Sequence, residues 1–404
     1  MAVGLTGLPT LHPVAGVRWG TAAAGIKKNG ATDVAVLALE RGAHCAAVFT
    51  SNAFCAAPVT IARRNLLQGE VRYLLVNSGN ANAGTGEQGV VDGEACCAAL
   101  AGLVGCDASQ VLPFSTGVIG ETLPVDRLSS ALPIALKSLN EGWRDAAHAI
   151  MTTDTVPKGA SRQLSIGGRA VTITGISKGS GMIHPNMATM LAYVATDAAL
   201  APALLQSCLE RAVASSFNAI TVDGDTSTND ACVLVASGQG EVTFESEEDA
   251  GFSEFQAALT DVCQTLAQAI IRDGEGATKL ITVEVCGGRD VAECRQVADA
   301  VALSPLVKTA FFASDPNWGR ILAAVGRAGL PDFDIDLITI YLDEVCIVRG
   351  GGRAPTYTEA AGQAVMEREE ITVTINLERG EAKTRVWTCD FSYDYVRINA
   401  EYRT

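Results

Sequence analysis

Histidine is scarce in this chain: four residues in 404, at positions 12, 44, 148 and 184, with no metal-ligand spacing among them. A His/Cys zinc site is therefore not expected. The 12 cysteines contain no C-x-x-C pair and sit mostly in apolar segments, such as those around Cys263 and Cys286. They read as buried, reduced thiols of a cytoplasmic protein. Aromatic residues make up only 5%, so the core must be built mainly from Ala, Val, Leu and Ile. Basic clusters are missing as well. The densest are Lys27-Lys28 and Arg63-Arg64, set against a formal net charge of −15. That average field repels nucleic acid, and no basic face is present to lie on a membrane. The best apolar run, Ala95 to Cys106, is about half of the ~20 residues that a bilayer crossing requires. The opening residues, MAVGLTGLPTLHPVAG, lack the positive region and long apolar stretch of a secretory signal. Tandem repeats, low-complexity tracts and linkers are absent too.

The chain does have enough apolar residues for a large core: 48% hydrophobic against 19% charged. A disordered chain does not look like this. The length suggests two or three lobes, or one large α/β unit. Short apolar runs flanked by Gly or polar residues predict strands at Val34 to Leu39, Val71 to Val76, Val111 to Phe114, Val171 to Ile176 and Leu191 to Val194. Further strands are predicted at Leu337 to Leu342, Ile371 to Ile375 and Arg385 to Thr388, with a helix near Thr358 to Glu367. Another helix is expected over Val90 to Val104. The sharpest runs from Ser253 to Arg272, with Phe255, Leu259, Val262, Cys263, Leu266 and Ile270 on one stripe. Ser253 and Gln256 have capping-box spacing, and Asp273-Gly274 is the stop. The whole reads as mixed α/β, with antiparallel-looking strand pairs in the C-terminal half.

Four segments carry chemical signals. Gly84-Thr-Gly86-Glu-Gln-Gly89 matches G-x-G-x-x-G, with Asp107 at ribose-holding distance. Seven residues separate its strand from the first Gly, where a dinucleotide loop needs a tight turn. A Gly/Asn-rich loop shaped for another small ligand fits better. Asp223 to Asp230, DGDTSTND, is as oxygen-rich as a calcium loop. Thr228 stands where that loop needs Gly, and Leu234 where it needs Glu. A polar turn between strands, open to a place in a site wall, accounts for it. Ser115-Thr116-Gly117 at a strand end can turn donors toward a ligand, the geometry of an oxyanion hole. Finally, Lys178-Gly-Ser-Gly181 runs through His184-Pro185-Asn186 and Ala188 directly into Thr189. That arrangement suits self-cleavage. A strained peptide bond before Thr is attacked by the Thr hydroxyl, the acyl group shifts from nitrogen to oxygen, and water releases the new chain. The freed Thr then holds both a nucleophile and a base, its α-amine, with a pKa near 8.

The segment K-G-S-G-M-I-H-P-N-M-A-T-M-L resembles the self-processing motif of the ornithine acetyltransferases, also called glutamate N-acetyltransferases, of arginine biosynthesis. The resemblance covers nearly the whole chain. It takes in the Asn77 to Gly89 loop, Ser115 to Gly120, Met151-Thr-Thr-Asp154-Thr, DGDTSTND, Arg272 to Lys279, Asp315-Pro-Asn-Trp-Gly-Arg320 and Asn399 to Thr404, in the family's order. It implies an α/β fold of ornithine-acetyltransferase type (DmpA/ArgJ-like), a sandwich of sheets and helices. Cleavage between Ala188 and Thr189 would give an α chain, 1–188, with the oxyanion-hole residues, and a β chain, 189–404, with the N-terminal nucleophile. The two would interweave and pair as an α2β2 heterotetramer. Thr189 would carry the acetyl group, and Thr116 and Gly117 would form the oxyanion hole. Thr152, Lys178, Thr189, Glu275, Asn399 and Thr404 would contact substrate, with Thr152 preferred to Thr153 by its spacing to Lys178. His184 stands where the family also carries Ala and is given no essential role.

The implied reaction moves acetyl from N2-acetyl-L-ornithine to L-glutamate. It needs no metal, nucleotide or prosthetic group, and acetyl-CoA would enter only as a co-substrate of a second activity. Both amino acids carry an α-carboxylate for Lys178. The ornithine ammonium needs an anion, from Glu275 or the terminal carboxylate of Thr404. The alternatives are a related self-cleaving aminopeptidase, which would hydrolyse instead of transferring, a nucleotide-dependent oxidoreductase using the Gly84 loop, and a non-catalytic binder. Taken singly, Lys178, Glu275 and Asn399 could equally be surface salt bridges or caps.

Overall fold

The computed structural model describes residues 2–28, 30–184 and 190–401. Two sheets lie face to face. The first has four strands in the order Val17–Ala22, Val34–Leu39, Tyr73–Asn80, Val111–Val118. The second has five, in the order His44–Phe49, Ala231–Ala236, Leu191–Thr196, Arg169–Lys178, Lys158–Ile166. Strict alternation builds four layers from these strands. Leu191, Tyr193 and Ala195 point between the sheets, where they meet Trp19, Leu37 and Phe114. Ala192 and Val194 point the other way, onto helix Phe252–Arg272. Likewise Val34 and Val36 face away from the second sheet, toward Cys96, Cys97 and Leu100 of helix Gly86–Val104. Both faces of the inner strands are thus covered, so Val34–Leu39, Leu191–Thr196 and Ala231–Ala236 are buried along their whole length. The scarce aromatics are concentrated at the centre: the rings of Trp19 and Phe114 each meet that of Tyr193 edge-on, at 5.5 and 5.4 Å.

A third sheet of seven strands is built almost wholly from the C-terminal part. Its third strand, Leu280–Gly288, pairs parallel with Glu370–Asn376 and antiparallel with Ala382–Cys389. Helices Val291–Ala302 and Trp318–Gly326 pack on it in a separate core. The sheet is therefore mixed, where the sequence suggested antiparallel pairs. It is tied to the sandwich by strand Ile220–Thr221, which pairs with Ala382–Cys389.

The predicted strands appear within a few residues, most of them longer at one or both ends. The stripe of helix Phe252–Arg272 is fully buried as expected. Its ends differ. The cap is Gly251 in the left-handed conformation (φ 84°), with no side-chain cap bond, so Ser253 and Gln256 form no capping box. The helix begins two residues too early for that box. Asp273, not Gly274, caps the C-terminus, and the Asp273 carboxylate serves the site described next. None of the 12 cysteines is in a disulfide, and no helix among the described residues is long and apolar enough to cross a membrane.

Candidate active site

The central strand of the second sheet, Leu191–Thr196, has its first residue opposite Lys178 on one edge and opposite Ala231 on the other. Residues 179–190 are therefore the connection of a hairpin, with Lys178 at one foot. Ala188 and Thr189 lie in this connection, outside the described residues, as does Thr404. Met190, the residue after Thr189, is held by its N–H, which donates to Asp230 Oδ1 at 2.9 Å.

At this end of the sandwich a cavity of about 150 Å3 gathers every described residue that the resemblance singles out. Thr116, Gly117, Thr152, Lys178, Glu275 and Asn399 all line it. They come from both sides of position 188 and from separations of up to 283 positions, so no local motif explains their meeting. Thr153, Gly181 and Ser227 to Asn229 complete the wall. A larger cavity of about 310 Å3, lined by Leu5, Pro9, Pro157 and Arg272 among others, holds none of these six residues. Its Arg272 is already paired with Glu370 at 2.6 Å.

Thr116 and Gly117 lie within strand Val111–Val118, not beyond its end. The neighbouring strand breaks register at Gly79 and Asn80. Gly117 has φ 136°, and a Cβ there would come within 2.3 Å of Gly79 C. Only glycine lets the two backbones approach so closely.

Lys178 is buried, and its ammonium lies 3.9 Å from Asp154 Oδ2. Burial lowers its pKa, and the nearby Lys158 charge lowers it further, while Asp154, Asp230 and Glu275 pull the other way. Burial alone would raise Asp154, but Lys158 and Lys178 hold its carboxyl well below the usual range. Asp154 also accepts from Thr152 N at 3.0 Å and Gly179 N at 2.7 Å. Beneath them Lys158 Nζ bridges Asp154 and Asp273, at 2.6 Å to each, all three side chains buried. Asp273 accepts in turn from Thr155 N at 2.9 Å and from the Thr155 hydroxyl. This charge chain fixes the 152–156 loop and leaves Lys178 the loosely paired cation at the cavity wall.

Glu275 is buried, and Asn399 Nδ2 donates to its Oε2 at 2.8 Å. A Cβ on Gly181 would lie 2.5 Å from the Glu275 carboxyl carbon, so Gly181 makes room for it. The surface-salt-bridge reading fails for Lys178 and Glu275, which face a cavity from buried positions. Asn399, on the exposed helix Tyr393–Ala400, reaches in from the rim. Thr152 and Thr153 both line the cavity, and the hydroxyls of Thr153 and Ser180 share a hydrogen bond at 2.9 Å.

The nucleotide reading of the Gly84 loop does not fit. The strand extends to Asn80, and the loop is filled by its own side chains: Asn82 Nδ2 donates to Gly89 O at 2.8 Å, and Thr85 Oγ1 to Asn82 Oδ1 at 2.9 Å. Asp107 is engaged in a 3₁₀ turn, its N–H donating to Gln110 Oε1 at 3.1 Å. The DGDTSTND turn holds backbone instead of a cation. Asp223 accepts from Met182 N at 2.6 Å and Ile183 N at 2.9 Å, and burial pushes its carboxyl up to about 6. No cluster of three or more His, Cys, Asp or Glu suited to a metal occurs among the described residues. Asp154, Asn229 and Asp230 sit inside the quoted motifs without an individual role there, and Asp273 was legible only as part of a helix stop. Lys158 carried no signal, because its partner Asp273 is 115 positions away.

The family model described as the ArgJ family matches residues 18–404. The chain is 61% identical over 395 residues to the arginine biosynthesis bifunctional protein ArgJ of Methylococcus capsulatus, covering 98% of this chain and 97% of that one. It is 58% identical over 406 residues to the protein of the same name from Pseudomonas fluorescens, covering 100% of both. A solved structure, the bifunctional protein ArgJ of Bacillus halodurans, is 40% identical, with a TM-score of 0.49, over 52% of this chain and 97% of that one.

Proposed function

This chain belongs to the ArgJ family, and from that premise we propose that it transfers acetyl from N2-acetyl-L-ornithine to L-glutamate, releasing L-ornithine and N-acetyl-L-glutamate. The observation that carries the reading is the single cavity shared by Thr116, Gly117, Thr152, Lys178, Glu275 and Asn399. Thr189 directly precedes Met190, whose N–H is anchored on Asp230 beside the wall residues Ser227 to Asn229.

The chemistry divides into two acyl transfers. The chain first cuts itself between Ala188 and Thr189, into an α chain, 1–188, and a β chain, 189–404. The Thr189 hydroxyl then attacks the acetyl carbonyl of N-acetylornithine, with its own α-amine taking the proton. The oxyanion that forms is met by Thr116 and Gly117; losing one such donor commonly slows a reaction ~100-fold or more. Collapse expels the ornithine amine and leaves acetyl-Thr189, which glutamate attacks in the reverse sense. Lys178 pairs with the α-carboxylate of either amino acid, and Glu275 or the Thr404 carboxylate with the ornithine ammonium. Thr152 and Asn399 complete the contacts. No step requires a metal or an organic cofactor. Because the relatives are named bifunctional, a second activity with acetyl-CoA as donor to glutamate is part of the proposal. So are the α2β2 assembly and a cytoplasmic location. The family match, across 58–61% identical relatives named ArgJ, favours transfer over the aminopeptidase alternative.

The test is incubation with N-acetylornithine and glutamate, then with acetyl-CoA and glutamate, following products by mass. N-acetylglutamate should form in both. Release of free amino acids from peptides, with no acetyl reaching glutamate, would overturn the reading.

A further inference from the structure

Asn229 and Asp230 are consecutive and buried; Asn229 lines the cavity, and the two side chains reach different elements. Asn229 Nδ2 donates to Ala81 O at 2.7 Å and to Ser115 O at 2.9 Å. Its Oδ1 accepts from Thr228 Oγ1 at 2.5 Å, which fixes which end of the amide faces those carbonyls. These carbonyls lie 148 and 114 positions away, so this is no local turn contact. The Ser115 carbonyl belongs to the same planar peptide as the Thr116 N–H. Holding that oxygen fixes the plane from which Thr116 and Gly117 follow. On the other side Gly117 is backed by Gly79, so the wall cannot recede.

Asp230 serves the facing element. Its Oδ1 accepts from Met190 N at 2.9 Å, Ala231 N donates to Met190 O at 3.2 Å, and Thr50 N donates to Asp230 O at 3.0 Å. The bond to Met190 N needs only an acceptor oxygen at this position, which an amide would also offer.

We infer that the Asn229-Asp230 dipeptide is a positioning bridge: Asn229 holds the oxyanion wall, Asp230 holds the strand that begins just after Thr189, and the rigid spacing between them sets the attack distance. This rests on the proposed roles of Thr116, Gly117 and Thr189. The bridge touches no reacting atom and acts only through the backbone it holds.

The test uses the full chain. Asn229→Asp keeps the shape but turns an acceptor toward two carbonyls. A misplacement of about 1 Å commonly costs ~100-fold, so kcat should fall roughly 10- to 100-fold while KM stays within about threefold. If this variant does not fold, judged by thermal melting, Thr228→Val frees the amide without replacing it and should lower kcat in the same sense. Asp230→Asn keeps an acceptor for Met190 N and should stay near wild type, whereas Asp230→Leu should lose both self-cleavage and transfer. A folded Asn229→Asp enzyme with wild-type kcat, or an Asp230→Asn enzyme as damaged as Asp230→Leu, would overturn the bridge. Thr116→Ala separates the two layers of argument. Wild-type kcat in Thr116→Ala would sink the Thr116 hydroxyl as an oxyanion donor. A loss in Thr116→Ala with none in Asn229→Asp would sink the bridge alone. In the double variant Asn229→Asp should add little to the loss from Thr116→Ala.

Discussion

Replacing Lys178 with Met tests the site most directly, because structure and function should respond in opposite senses. Lys178 is buried, with only a 3.9 Å ion pair to Asp154. Asp154 does not depend on it: Lys158 sits at 2.6 Å, and Thr152 N and Gly179 N donate to the same carboxylate. Lys178→Met therefore orphans no buried charge, and it removes the desolvation cost of burying an ammonium. The melting temperature should hold or rise. The substrate carboxylate, by contrast, loses the partner proposed for it. A charge-assisted hydrogen bond is worth about 1.5–3 kcal/mol, so kcat/KM should fall roughly 10- to 150-fold for both N-acetylornithine and glutamate.

The pH dependence follows from the lowered Lys178 pKa. Substrate capture needs the ammonium, so wild-type kcat/KM should decline on the alkaline side before pH reaches the ordinary 10.5. Stability runs the other way. The unfolded chain binds this proton more readily than the folded one, so stability rises with pH between the lowered value and 10.5. Lys178→Met should abolish both trends. Steady-state kinetics against each substrate, with melting curves across the same pH range, read the outcome. Unchanged kcat/KM, or a collapse of the fold, would refute the reasoning.

Thr189→Ala should remain an uncut 404-residue chain without activity, and Thr189→Ser, lacking the methyl that restricts χ1, should cut and transfer slowly; denaturing gels and turnover assays check both. Glu275→Ala should fold normally but raise KM for N-acetylornithine, and wild-type kinetics would reduce Glu275 to a partner for Asn399. Asp223 holds Met182 N and Ile183 N and has a pKa near 6, so self-cleavage should slow as pH falls through about 6, and Asp223→Asn should flatten that limb. The folded chain binds that proton more tightly than the unfolded one, so this group's contribution to stability falls as pH rises from 3.8 to about 6. Lys158→Met strands two buried carboxylates and should cost about 3–5 kcal/mol by denaturant unfolding.

Which parts of this were legible in the sequence follows from range. Val34–Leu39 matches its expected bounds because both faces are buried, leaving an unbroken apolar run with polar ends. The stripe from Phe255 to Ile270 was legible because one face of a helix records its own burial. The helix start was not, since Ser253 mimics a cap while Gly251 takes the left-handed turn that ends the preceding loop. Thr116, Lys178 and Glu275 emerged through family motifs, and the cavity brings them together. Lys158 stayed invisible: Asp154 is four positions away, but Asp273, the carboxylate that completes the bridge, is 115 positions away.

Ala188 and Thr189 fall in sequence between Lys178 and Leu191, so the proposed cleavage would break the chain between two paired strands. The connection's feet, Lys178 and Leu191, are paired to each other, and the strand from Leu191 is paired along its length to Arg169–Lys178 on one side and Ala231–Ala236 on the other. A break in the connection removes a loop-closure constraint but no rung of the sheet. The two pieces then share one five-stranded sheet and one sandwich core, with Ile176 from before the break packed with Leu191, Tyr193 and Val233 from after it. Had the scissile bond lain inside a strand, cleavage would have cost hydrogen bonds at the place where geometry matters most. In the proposed reaction the break falls outside every described strand, so Lys178 and the strands paired beside it keep their hydrogen bonds.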